Sequence, residues 1–193
     1  MADNVTWIRV GVGPGKVRVS PLATIAPTNP TDAYGAGWND LGALDPAGLS
    51  EGVNEDRAQH TPWGYKSPVR TDITSSTRTY KFKCWETNVH TLSLFDRVAY
   101  EDMTIVGAGP SAYLAYDVVR PNKGDERSFA IDLIDGDDNY FRYIIPRGEV
   151  TERTEITWKG DEVVGYEYTV TAYESSDGLT VRKYIQAGIV LPA

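Results

Sequence analysis

Polar and apolar residues alternate at period two along most of this 193-residue chain, the pattern of strands that bury one face. Val10, Val12, Val17 and Val19 flank Gly13-Pro14-Gly15, with Lys16 and Arg18 turned the other way, which predicts an opening hairpin. Periodicity then vanishes over 21–37, where Pro21, Pro27, Pro30, Gly35 and Gly37 arrive among small polar residues. That predicts a long loop inside one domain, because a lone hairpin could not fold by itself. The loop is also a candidate for ordering only against a neighbouring molecule. Strands are expected at 38–44 and 49–58, the second carrying Glu51, Glu55 and Asp56. His60-Thr61-Pro62-Trp63-Gly64-Tyr65-Lys66-Ser67-Pro68 reads as an exposed loop over 59–68 whose aromatic side chains suggest a partner.

The stretch 69–85 is rich in β-branched residues and predicts one long strand. Between Arg70 and Thr79 both of its faces are polar, with Ile73 the lone apolar side chain. Such a strand spans roughly 55 Å at about 3.3 Å per residue, and half of it has no apolar face to anchor it. Edge pairing with another subunit would supply the missing partners. A single helix is expected over 87–98, capped by Thr87 or Asn88, with Val89, Leu92, Phe95 and Val98 as its buried stripe. Further strands are expected at 112–119, 128–134, 140–145, 150–158, 163–173 and 180–186, with hairpin turns at Lys159-Gly160-Asp161 and Ser175-Ser176-Asp177-Gly178. Val164, Tyr166, Tyr168, Val170 and Ala172 share one face of the best-defined of these. The fold class is therefore mainly β, a β-sandwich or partial barrel with one α-helix, in a single domain spanning 1–193.

Composition narrows the function classes. The formal net charge is −8, from 19 Lys and Arg against 27 Asp and Glu, the wrong sign for gripping nucleic acid through its phosphates. Cys84 stands alone, so neither an intramolecular disulfide nor a thiolate metal cluster can form. No apolar run approaches a bilayer span and no basic-then-apolar leader opens the chain, so a soluble protein of a reducing compartment, with no membrane partner, is expected. His60 and His90 are the only histidines, which leaves little for metal binding or acid–base catalysis.

Three motifs tempt and fail on context. Gly107-Ala108-Gly109-Pro110-Ser111-Ala112, with Asp132 further on, matches a dinucleotide fingerprint, but 113–119 is aromatic and β-branched where a phosphate-facing helix is needed. A glycine-rich connection between strands is the better reading. Gly48-Leu49-Ser50-Glu51-Gly52 fits a nucleophile elbow without the buried strand before it or the helix after it, and Ser50, Asp56 and His60 are crowded for a triad. Asp135-Gly136-Asp137-Asp138-Asn139 opens like a calcium loop but has Tyr140 and Pro146 where glycine and glutamate are required. Cys84, in line with Tyr80 and Phe82, is expected to be a buried, inert thiol. No catalytic residue, cofactor or metal site is expected.

The order of features is more telling than any motif. Trp38-Asn39-Asp40-Leu41-Gly42 leads into the acidic strand, and Tyr80-Lys81-Phe82-Lys83-Cys84-Trp85-Glu86-Thr87-Asn88 enters the helix. Phe129-Ala130-Ile131-Asp132, Tyr143-Ile144-Ile145-Pro146-Arg147-Gly148-Glu149-Val150 and Gly165-Tyr166-Glu167-Tyr168-Thr169-Val170-Thr171-Ala172-Tyr173 follow. Over 38–173 this succession resembles the major tail tube protein of long, non-contractile-tailed bacteriophages, while 106–121 has no counterpart in that pattern. The resemblance implies a structural virion protein, not an enzyme, whose copies close into a hexameric ring with one continuous inner β-barrel. It implies that rings stack into a tail tube around a tape-measure protein and between terminator and distal tail proteins. The tube would be assembled in the host cytoplasm, and DNA would cross it without specific binding. On that reading Glu51, Glu55, Asp56 and Asp72 are candidates to line the lumen, and Trp63 and Tyr65 to contact the neighbouring ring. Two alternatives are another β-fold virion protein, such as a terminator or minor tail component, and a flavin- or nucleotide-dependent enzyme.

Overall fold

The computed structural model describes residues 16–135 and 139–186. The first part of the expected opening hairpin and the centre of the Asp135–Asn139 turn lie outside these. The strands are β1 (Lys16–Ser20), β2 (Asn39–Asp40), β3 (Leu44–His60), β4 (Arg70–Cys84), β5 (Thr104–Val106), β6 (Tyr113–Ala115), β7 (Glu126–Asp135), β8 (Asn139–Arg153), β9 (Tyr166–Ala172) and β10 (Arg182–Gln186). One α-helix, α1 (Val89–Asp96), follows β4. Apart from the small β5–β6 pair, the strands form one antiparallel sheet in the order β2-β1-β7-β8-β9-β4-β3, with β10 also on β8.

The sheet forks at β8. Residues 140–144 of β8 pair with β10 and residues 148–153 with β9 on the same edge, while β7 runs along the other edge. Pro146 occupies the gap where β10 has ended and β9 has not begun, opposite a register shift in β7. Neither edge asks it for an N–H, so two expected strands, 140–145 and 150–158, are one strand through the proline. Gly148 follows because there is no room for a side chain: an added Cβ would lie 3.1 Å from Phe129 and 3.2 Å from Val170.

The two halves of the forked sheet curl toward each other and share one core. Val17 and Val19 from β1, Phe129 and Ile131 from β7, and Tyr80 and Phe82 from β4 meet Tyr166, Tyr168 and Val170 from β9 there. Helix α1 plugs this partial barrel. Asn88 caps it by accepting from the Thr91 N–H at 2.9 Å, Leu92 and Phe95 pack on the core, and Phe95 stands edge-on to Tyr166. Leu94, Thr91 and Ser93 are buried as well, the hydroxyls satisfied by the Leu41 and Val98 carbonyls. The helix is thus shorter than 87–98 and enclosed on more than one stripe.

A second apolar cluster, Trp38, Ala130 and Ile144, lies on the opposite face of β7 and β8 and is covered by the loop 21–37. That loop is seated by its own chain, contrary to the expectation that it needs a neighbour. Arg142 donates to the Asn29 and Asp32 carbonyls at 3.1 and 2.7 Å, and Trp38 donates to the Ile25 carbonyl. The expected strand 38–44 shrinks to two residues because Gly42, at φ +88°, turns the chain and donates to the Asp40 carboxylate. The loop 154–165 replaces both the end of 150–158 and the start of 163–173; Ile156 and Val164 pack inward while Trp158 and Val163 stay exposed.

Candidate functional site

The most unusual part of the molecule is the β3–β4 hairpin. Its base is an ordinary sheet: β4 pairs with β9 from Arg78↔Ala172 to Cys84↔Tyr166 and with β3 on its other side. Beyond Arg78 β9 has ended, and residues 54–60 and 70–77 continue as a two-stranded arm that, among the described residues, pairs only with itself. Eight residues at about 3.3 Å carry it roughly 26 Å past the body. Both faces are hydrophilic, as the composition of 70–79 requires, and nearly every residue on it is exposed. A two-stranded ribbon without an apolar face is marginal alone, and its free edges offer unpaired N–H and C=O groups.

The arm ends in a defined loop. The Tyr65 N–H donates to the Pro62 carbonyl and the Val69 N–H to the His60 carbonyl, with Gly64 at φ +86°. Trp63 is 102% exposed and Tyr65 65%, so the two expected contact residues point into solvent.

The four candidate acidic residues all lie on this hairpin but not on one face. Glu51 lies opposite Tyr80 on the core-facing side, and Glu55, four pairs further along, shares that side. Asp56 faces the other way, opposite Ser75, and the register shift after it puts Asp72, opposite Ala58, on the face of Asp56. Glu51 accepts from Tyr80 at 3.0 Å, Arg78 at 3.0 Å and Lys183 of β10 at 2.6 Å, clasping the two halves of the barrel together. Burial pushes its carboxyl up, but the Lys183, Tyr80 and Arg78 donors outweigh this and hold it below the usual glutamate range. Lys183 also lies 4.4 Å from the Tyr143 ring. Glu55 is paired with Arg57, Asp56 accepts from Ser75, and Asp72 meets Arg70 and His60. Lys183 had no signal in the sequence, since its partner lies 132 positions away.

On the outer face of the hairpin's base the cations are matched. Lys81 pairs with Glu167, and Lys83 lies 3.9 Å from Asp45, among Thr79, Thr169 and Thr171. Elsewhere, the tempting motifs resolve as connections. Gly107–Ala112 turns β5 into β6 through a single 3-10 turn, and Ser50 sits within β3 opposite Lys81. Cys84 is fully buried, and burial, with Asp40 and Glu86 nearby, pushes its thiol up to about 12. No group of metal-binding side chains occurs among the described residues.

The family model described as "Phage tail tube protein" matches residues 1–191 of the chain. Among solved structures, a chain from the virion of a native gene transfer agent particle is 7% identical with a TM-score of 0.40, the match covering 78% of this chain and 89% of that one. A chain from the tail of an empty gene transfer agent particle, refined with C6 symmetry, is also 7% identical with a TM-score of 0.40, covering 83% and 91%. A search of curated proteins finds no match.

Proposed function

The chain belongs to the phage tail tube protein family and is a structural component of such a tube, and from that premise we propose how its architecture builds the wall. Each copy is a single domain whose β3–β4 arm is completed by other copies. The free edges of arm and sheet pair between subunits, closing a hexameric ring with a continuous inner barrel, and rings stack into the tail tube. The observation that carries this reading is the arm itself, a ribbon polar on both faces with no strand partner among the described residues of its own chain.

The solvent face of β9-β4-β3 is the surface we assign to the bore. Asp56 and Asp72 then face the lumen, and Glu51 and Glu55, on the reverse side, stand near its rim. The paired lysines of that face and the net negative charge of the chain suit a wall that DNA crosses without adhering, because unmatched cations would gain affinity at every phosphate. Trp63 and Tyr65 make the contact to the neighbouring ring. The tube encloses a tape-measure protein, meets terminator and distal tail proteins at its ends, is assembled in the host cytoplasm, and does no chemistry.

Electron microscopy of the purified chain at rising concentration tests this. Rings and then extended tubes are expected. A monomer at every concentration, with amides 70–77 protected from hydrogen exchange, would overturn it.

A further inference from the structure

The strand register places two exposed aromatic loops at opposite poles of the molecule. The β4 strand starts at the tip loop 61–69 and ends at Cys84, which pairs with Tyr166, the first residue of β9. The loop 154–165 leads directly into Tyr166 and is tied there by the Thr154 N–H donating to the Glu167 carbonyl. Fifteen residues of β4 at about 3.3 Å separate the two poles by roughly 50 Å.

The two loops are complementary. Trp63 and Tyr65 stand out at one pole, and Trp158, 73% exposed, and Val163, 60% exposed, stand out at the other. From His60 to Arg70 the charged residues are Lys66 and Arg70, with no acid among them. From 154 to 165 they are Glu155, Asp161 and Glu162 against Lys159 alone. Lys159 already reaches Glu162, and Arg70, although bonded to Asp72, keeps a side chain that is 72% exposed. A cationic aromatic tip and an anionic aromatic loop at opposite ends of one strand cannot meet within a copy. They can meet between copies related by translation along that axis, a head-to-tail contact that repeats without closing.

We propose that the loop 154–165 is the receptor for the arm tip of the next copy along the tube: Trp63 and Tyr65 pack on Trp158 and Val163, while Lys66 and Arg70 face Glu155 and Asp161. The occupant is a second copy of this chain. The inference rests on the proposed inter-ring role of Trp63 and Tyr65 and adds the surface that receives them.

Charge exchange tests it. Lys66→Glu with Arg70→Glu should abolish tubes while leaving rings, and so should Glu155→Lys with Asp161→Lys; the four changes together should restore tubes. All four positions are exposed, Lys66 in the tip loop, Arg70 at the start of β4 and Glu155 and Asp161 in the loop 154–165, and circular dichroism of the unassembled variants confirms the fold. A second measurement uses Tyr65→Cys with Val163→Cys: oxidised tubes should run as a ladder of cross-linked copies, with the buried Cys84 silent. Tubes that survive reversal of the 154–165 loop, failure of the fourfold variant to restore them, or absence of the ladder overturns the receptor assignment. If Trp63→Ala with Tyr65→Ala also leaves tubes intact, the inter-ring role of the tip falls with it; if that variant abolishes tubes, the role stands and only the receptor is wrong.

Discussion

Arg142 is 6% exposed on the face of β8 turned away from the main core, where groups from β1, β7 and the 21–37 loop gather. It donates to Asp132 and to the two carbonyls of the 21–37 loop, and its guanidinium and that of Arg18 each lie 4.3 Å from the Tyr34 ring centroid. Arg142→Ala would leave Asp132 with less compensation and release the loop, and should cost about 3–5 kcal/mol in denaturant unfolding. Arg142→Lys should recover little of it, because an ammonium cannot reach a carboxylate and two carbonyls in one plane. Glu51 predicts a pH dependence. Its folded pKa lies below its ordinary value of 4.5, so its stabilisation is present above that value and is lost as pH falls through the folded one. Glu51→Gln should therefore flatten the acid limb of the stability curve, read as the urea midpoint against pH; an unchanged limb would mean the clasp to Lys183 contributes nothing. Neither the grip of Arg142 on the Asp32 carbonyl nor that of Glu51 on Lys183 could be assigned from the sequence, since these partners lie 110 and 132 positions away.

Among the elements, the β3–β4 hairpin divides cleanly in energetic terms. At its base Phe82 is 2% exposed in the core, and Phe82→Ala should cost about 3–5 kcal/mol. At its tip Trp63 is fully exposed and Tyr65 largely so, so with Trp63→Ala and Tyr65→Ala the stability of the unassembled subunit should change by less than about 0.5 kcal/mol, although tubes are lost. Equal loss at both sites would show that the tip packs on its own subunit. This division was readable before folding, because the alternation of Tyr80, Phe82 and Cys84 stops where Arg70 to Thr79 becomes polar on both sides. The β8 strand was not. Pro146 and Gly148 punctuate its sequence as a turn would, and only the exchange of partners from β10 to β9 lets both residues sit inside a strand.

For the molecule as a whole, the placement of charge follows from the sheet's two faces. Glu55 and Asp56 are neighbours in sequence and therefore face opposite ways, so a bore can take only one of them. Asp56→Lys with Asp72→Lys should still allow tubes but slow genome delivery, more strongly at low salt, where exposed charges are less screened. The same exchange at Glu55 should matter less. Delivery kinetics that respond equally to both would reject the assignment of the outer face to the lumen.

Period-two alternation, one capped helix and a polar strand without an apolar face were sufficient to establish a mainly β protein with a segment its own core cannot hold, because burial preferences are written residue by residue. The fork at β8, the clasp between Glu51 and Lys183, the seating of the 21–37 loop and the opposition of the two aromatic loops came only with the tertiary structure. Each depends on which distant strands become neighbours, and that choice is made by the packing of the whole sheet.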